Sequence, residues 1–214
     1  MDWSDFADLI AVAREESSRW SDAVVLGGVA IYQHAAHDPA AAPSAEPTSD
    51  LDLYLSLDGF TELRDQEEVV ANRSATKHSY FVRGFPVDVY TEDHAPLPVP
   101  YAEIAARATI CGGICVACLE HLLILKLEAF RVRRGTAKGE RDARHIALLV
   151  GLILGRKASL ALLSDELIQL VCAALHAKDT VDVRAGRKRP VDLHWFSPKM
   201  LRQGALVPLS TSQS

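Results

Sequence analysis

Nine consecutive residues constrain this chain more than any others. From Asp50 to Asp58, Asp50, Asp52, Tyr54, Ser56 and Asp58 alternate without a fault with Leu51, Leu53, Leu55 and Leu57. Only an extended strand sends successive side chains to opposite faces, so the pattern predicts a strand over 50–58 with one leucine face and one acidic face. A leucine face needs an apolar layer against it, which makes a layered α/β protein the expected architecture. The 214 residues are 49% hydrophobic and 24% charged, an ordinary globular composition that excludes a disordered or fibrous chain. The length suits one domain of ordinary size, or one with a helical extension, and leaves no room for two large ones.

The flanking segments fill in that architecture. Residues 2–19 carry Trp3, Phe6, Ile10 and Ala13 at helical spacing. Ala23 to Leu26 is a short apolar run stopped by Gly27-Gly28, with a helix expected from Val29: a strand, a glycine turn and a helix. Residues 35–48, rich in alanine and proline, are expected as a mobile surface loop, followed after the acidic strand by a helix from Gly59 to Val70. His78 to Arg83 and Phe85 to Tyr90 read as a hairpin turning at Gly84, and helices dominate from about Cys118 to Ala177, broken by Gly135 and Gly155. The expected organisation is an α/β (α+β) core over 1–100 with a small mixed sheet and flanking helices, a helical subdomain over 101–180 and a basic tail over 181–214.

Charge and apolar runs narrow the function classes. Residues 1–180 hold a net charge of −9 and residues 181–214 a net of +4 within the overall −5. The tail therefore either folds onto its acidic body or touches nucleic acid, and Trp195 and Phe196 beside its basic residues keep contact with single-stranded RNA open. The longest strongly apolar stretch, Ile146 to Leu154, is far short of the roughly 20 residues of a membrane span. The acidic start Met1-Asp2-Trp3-Ser4-Asp5 has no basic region before an apolar run, so a cytoplasmic chain without membrane contact is expected, with reduced thiols. Cys111, Cys115 and Cys118 have the spacing of an iron–sulfur cluster motif, but they sit in an apolar segment where cysteine acts as a small hydrophobe, and the cluster reading is rejected.

Three acids and two glycines carry the chemistry. Asp50 and Asp52 lie on one strand face, roughly 7 Å apart at ~3.3 Å per residue, where two carboxylates can grip a Mg²⁺ ion. The plain alternative is a solvated strand face. Asp88 stands alone between Val87 and Val89 in a separate strand. If that strand neighbours the first, the three acids form a metal site for phosphoryl or nucleotidyl transfer, in which two ions clamp the attacking and leaving oxygens. Gly27-Gly28, between a strand and a helix, offers backbone N–H groups to a phosphate that can come close.

In combination these residues match a family. Leu26-Gly27-Gly28, then Thr48-Ser49-Asp50-Leu51-Asp52-Leu53, then Val87-Asp88-Val89 resembles the signature of the nucleotidyltransferase superfamily that includes DNA polymerase beta. Leu119 to Arg134 and Arg141-Asp142-Ala143-Arg144-His145-Ile146 look like the helical segment of AbiEii-type nucleotidyltransferases. Two departures stand out: the 21 residues between Gly28 and Asp50 exceed the usual spacing, and Glu46-Pro47-Thr48-Ser49 replaces the basic residue often found just before Asp-x-Asp. His145 stands where many relatives have a second acid.

The resemblance implies a Mg²⁺-dependent enzyme that moves a nucleoside monophosphate from an NTP to an acceptor, with Asp50, Asp52 and Asp88 as catalytic and metal-holding residues. Gly27, Gly28, Ser49, Lys126 and Asp142 are the implied nucleotide-binding residues. Acceptors in such families include RNA and tRNA ends, proteins and small hydroxylated antibiotics, and a toxin–antitoxin role is implied by the same likeness. Helical geometry adds an independent argument, because Lys126 falls amid Leu119, Leu122 and Phe130, and Asp142 shares an arc with Ile146, Leu149 and Ile153. Charges on apolar arcs pair with one another, reach a cleft, or meet a phosphate or metal; Arg133 shares the Lys126 stripe. The missing basic residue favours a second reading, a binding or regulatory module with the same fold. A third, a structural α/β protein with solvated acids, requires the three carboxylates to lie more than about 8 Å apart.

Overall fold

In the computed structural model of the chain, the described residues are 2–39, 41–44, 46–72, 77–93, 96–155 and 167–174. The chain divides into two compact units, Met1–Leu125 and Lys126–Ser214. The tail over 181–214, with Trp195 and Phe196, lies outside the described residues.

The first unit is built on a sheet of seven strands: β1 (Val24–Val25), β2 (Leu51–Tyr54), β3 (Val70–Asn72), β4 (Lys77–Val82), β5 (Phe85–Tyr90), β6 (Thr109–Cys111) and β7 (Ile114–Val116). Their order is β3-β4-β5-β2-β1-β7-β6. β2 runs parallel to β5 and antiparallel to β1, while β1 runs parallel to β7. The outer pairs β3–β4, β4–β5 and β6–β7 are antiparallel, so the sheet is mixed, as expected.

Helices α1 (Trp3–Arg19), α2 (Gly27–Ala36), α3 (Leu57–Gln66) and α4 (Tyr101–Ala106) accompany it. Helix α1 buries Phe6, Leu9, Val12 and Ala13, packing on β1 and β7. The buried stripe is rotated from the expected one, since Trp3 is 58% exposed. Leu51, Leu53 and Leu55 are fully buried. Each contributes about 1.5–3 kcal/mol on leaving water, which pins the register, because a slip of one residue would bury the acids instead.

The fold corrects the expected strand over 50–58. β2 ends at Tyr54, and the Ser56 hydroxyl caps α3 by accepting from the Gly59 N–H at 3.0 Å. Ser56 is itself held by Asp22, whose carboxylate takes its backbone N–H at 3.1 Å. A local cap therefore outcompetes the alternation, Asp58 falls in the first turn of α3, and Leu57 is 44% exposed. The helix starts before Gly59 and stops at Gln66, so that Val70 belongs to β3. The 35–48 segment is partly regular, with α2 reaching Ala36 and a short 3-10 helix over Ala42–Ser44.

Two further strands were not expected. β6 and β7 form a hairpin through Gly112-Gly113, both at positive φ, and β7 adds to the sheet beside β1. The expected β4–β5 hairpin turns at Arg83 (φ 52°) and Gly84 (φ 85°), the left-handed pair of a tight two-residue turn. Cys111, Cys115, Cys118 and Cys172 form no disulfide with one another, and burial pushes the Cys115 and Cys118 thiols up, away from metal-binding thiolates.

Helix α5 (Leu119–Arg133) crosses the boundary between the units. In the second unit, α6 (Ala137–Gly155) follows a turn at Gly135, whose φ is 82°. Thr136 caps it by accepting from the Gly139 N–H at 3.1 Å. Ile146, Leu149 and Ile153 are buried, as their spacing requires, and residues 167–174 are helical. Among the described residues no helix is long and apolar enough to cross a membrane.

Candidate metal and triphosphate site

The parallel pairing of β2 and β5 sets Asp52 directly beside Asp88. Adjacent strands lie about 4.8 Å apart, and the two-residue period brings Asp50 to the same face as Asp52. Asp50, Asp52 and Asp88 each offer an oxygen within 4.8 Å of the other two. They form the one such grouping of acids, histidines and cysteines among the described residues. Asp50 and Asp52 are part-exposed and Asp88 is buried, so the group opens to one side. The structural reading with acids more than about 8 Å apart does not survive this convergence.

Each carboxylate is held by a neighbour. Thr48 Oγ1 donates to Asp50 Oδ1 at 2.8 Å. Tyr90 Oη donates to Asp52 Oδ1 at 3.2 Å, and Ser79 Oγ to Asp88 Oδ1 at 2.6 Å. Lys77 Nζ pairs with Asp88 Oδ2. Burial, and then the charges of Asp52, Asp88 and Asp50, raise the Tyr90 phenol well above its ordinary value, so it stays a neutral donor.

The glycines meet the acids at close quarters. Leu26 N–H donates to the Asp52 carbonyl at 2.8 Å, which lays the end of β1 along β2. Gly27 follows at φ 61°, and a Cβ there would stand 1.9 Å from Asp52 Oδ2. A Cβ on Gly28 would stand 2.7 Å from the Thr48 side chain. Both glycines form the first turn of α2 itself, whose N–H groups have no partners within the helix. Ser49 is exposed beside Asp50.

The donors fit a hard divalent cation. All are carboxylate oxygens, which Mg²⁺ prefers, and their grouping within 4.8 Å is compact enough for small side-chain rotations to bring them onto a divalent ion. Three carboxylates so close repel one another unless cations stand among them.

Lys126 and Asp142, the other expected nucleotide-binding residues, lie in the second unit and pair with each other. Lys126 Nζ donates to Asp142 Oδ1 at 3.1 Å, and the Arg133 guanidinium stands 3.5 Å from Asp142 Oδ2. Their placement on apolar arcs is thus resolved by pairing, the first of the outcomes expected from the sequence. His145, one turn on, is buried, and its Nδ1 has no hydrogen-bond partner among the described residues. Burial, reinforced by Lys126, Arg141 and Arg144, pushes its pKa down to about 3, so it is neutral near pH 7 and adds no charge to the pair.

Four residues at the acids were not foreseen as part of the site: Thr48, two residues before Asp50, and Lys77, Ser79 and Tyr90. Tyr90 follows Asp88 by two and so shares its face. For Lys77 and Ser79 the signal is the two-residue turn at Arg83-Gly84, which pairs Val82 with Phe85 and, counting back, Ser79 with Asp88.

No family model and no curated protein matches the chain. Solved structures do. An antigenic nucleotidyltransferase-like protein from Paracoccidioides brasiliensis matches with a TM-score of 0.50 at 17% identity, over 88% of this chain and 95% of that one. At that identity the likeness concerns the fold, which is nucleotidyltransferase-like with a mixed sheet and flanking helices. The Megavirus polyadenylate synthase (TM-score 0.47, 17% identity) covers 66% of this chain and 31% of its own. The antibiotic-resistance factor ANT(2'')-Ia (TM-score 0.47, 11% identity) covers 87% of this chain and 99% of its own.

Proposed function

We propose that the chain is a Mg²⁺-dependent nucleotidyltransferase that transfers a nucleoside monophosphate from an NTP to an acceptor hydroxyl. The observation that carries this reading is the convergence of Asp50, Asp52 and Asp88 beside a glycine turn whose backbone touches Asp52. Bound divalent ions would polarise the α-phosphate and neutralise charge on the leaving pyrophosphate. Asp50, Asp52 and Asp88 hold such ions, and Asp88, the most buried of the three, takes the acceptor's proton. Gly27 and Gly28 present N–H groups to the phosphates, and Ser49 adds a hydroxyl. RNA ends, proteins and small hydroxylated molecules are the acceptor classes to test, and an AbiEii-like toxin role belongs with the first two.

The absence of Lys and Arg from Glu46-Pro47-Thr48-Ser49 favours a second reading, a binding or regulatory module that keeps the fold without turnover. Incubation with each α-³²P-labelled NTP, Mg²⁺ and total RNA separates the two. The enzyme reading expects label on RNA or on protein that disappears with EDTA and in Asp52→Asn. Metal-dependent NTP binding without label on RNA, protein or a panel of aminoglycosides would support the module instead.

A further inference from the structure

The acid cluster carries a cation of its own. Lys77 Nζ pairs with Asp88 Oδ2, with the lysine side chain 21% and the aspartate side chain 7% exposed. Ser79 Oγ occupies the other Asp88 oxygen. The segment leading into Asp50 holds no Lys or Arg, so this arm from β4 stands where the sequence leaves the acids without a cation. We infer that Lys77 is the residue that grips the triphosphate, and that its pairing with Asp88 is the resting state of the site, exchanged for a phosphate oxygen when a divalent ion takes Asp88. The inference rests on the metal–triphosphate reading given above.

The argument is one of competition. With one Asp88 oxygen accepting from Ser79 and the other against Lys77, an ion that ligates Asp88 must displace or loosen the ammonium, since two cations on one oxygen repel. A displaced lysine has a four-carbon stem, three rotatable donors and a compact charge suited to phosphate oxygens. Its backbone does not travel, because the pairing of β4 with β5 sets Ser79 opposite Asp88 and keeps Lys77 beside the site. A lysine serving only to neutralise Asp88 would have no reason to affect triphosphate binding and metal binding in opposite directions.

The test uses full-length wild type, Lys77→Met and Lys77→Arg, with two readouts: Mn²⁺ alone, followed by the free-ion EPR signal, and Mg²⁺ with the NTP that most stabilises the wild type, followed by thermal shift. Removing the ammonium should tighten Mn²⁺ binding by about fivefold or more, the loss of one exposed-to-part-buried ion-pair competitor. The same variant should weaken Mg²⁺–NTP binding by about tenfold or more, the value of a charge-assisted contact to phosphate. Lys77→Arg should retain NTP binding. If Lys77→Met does not fold, Lys77→Gln, which keeps a donor for Asp88, is read in the same way. Metal and NTP affinities that both fall, or that both stay, would overturn the inference and leave Lys77 a structural counterion. A wild type that binds neither probe would overturn the metal–triphosphate reading itself, and with it the inference, before any variant is compared.

Discussion

Gly27→Ala is expected to lose metal-dependent NTP binding altogether while Gly84→Ala retains it. Both glycines have positive φ, at 61° and 85°, so alanine costs about 1–2 kcal/mol of backbone strain at either position. Their surroundings differ. A Cβ at Gly84 meets nothing within 4 Å, whereas one at Gly27 stands 1.9 Å from Asp52 Oδ2 and 2.9 Å from its Cγ. No rotation of a methyl relieves such an overlap, so Asp52 must turn away, breaking its bond from Tyr90 and its spacing to Asp50 and Asp88. Gly84→Ala should therefore melt slightly lower than wild type and still be stabilised by Mg²⁺–NTP. Gly27→Ala should melt lower and show no ligand response, a comparison that separates damage to the site from damage to the backbone. An unimpaired ligand response in Gly27→Ala would mean that Asp52 is not needed where the structure puts it.

Asp142→Ala should destabilise the protein by about 3–5 kcal/mol in urea unfolding, the usual result of removing one partner from a buried pair. Asp142 is 2% exposed and faces two cations, Lys126 at 3.1 Å and Arg133 at 3.5 Å. The half-exposed Arg133 can turn to solvent, but Lys126 is only 17% exposed at its side chain and would be left part-buried without its partner. Replacing both partners, Lys126→Met with Asp142→Leu, should recover most of the loss, since an apolar pair of similar volume carries no desolvation cost. A single substitution costing less than about 1 kcal/mol would show that the pair is solvated and that its burial is not what holds it together.

Much of the site could be read from residue spacing, and the physical reasons for its limits are local. The period of two put Asp50 and Asp52 on one face, and the β-branched neighbours Val87 and Val89 marked a second strand for Asp88. What the sequence could not show was that β5 lies beside β2, because parallel neighbours are joined across other elements and leave no turn to count from. The alternation through Asp58 misled for a different reason: Ser56 competes for backbone N–H groups as a cap, and periodicity carries no trace of that. β6 and β7 were missed because strands of three residues are too short to establish a period: Ile110 in β6 is exposed, and Ile114 and Val116 in β7 are only two alternating buried positions. Lys77 and Ser79 were readable only after the Arg83-Gly84 turn fixed the hairpin register, and Gly27's contact with Asp52 required the antiparallel pairing of β1 with β2.

The most direct measurement is a thermal-shift titration of wild type and Asp52→Asn with ATP, GTP, CTP and UTP, each with and without Mg²⁺. A ligand that binds the native state must stabilise it, by about 2.7 kcal/mol at a hundredfold excess over Kd, or roughly 5 °C or more for a chain of this size. The expected result is such a rise for at least one triphosphate in wild type, present only with Mg²⁺ and absent in Asp52→Asn. Equal shifts in the two proteins, or none with any triphosphate, would contradict a metal–triphosphate site at Asp50, Asp52 and Asp88.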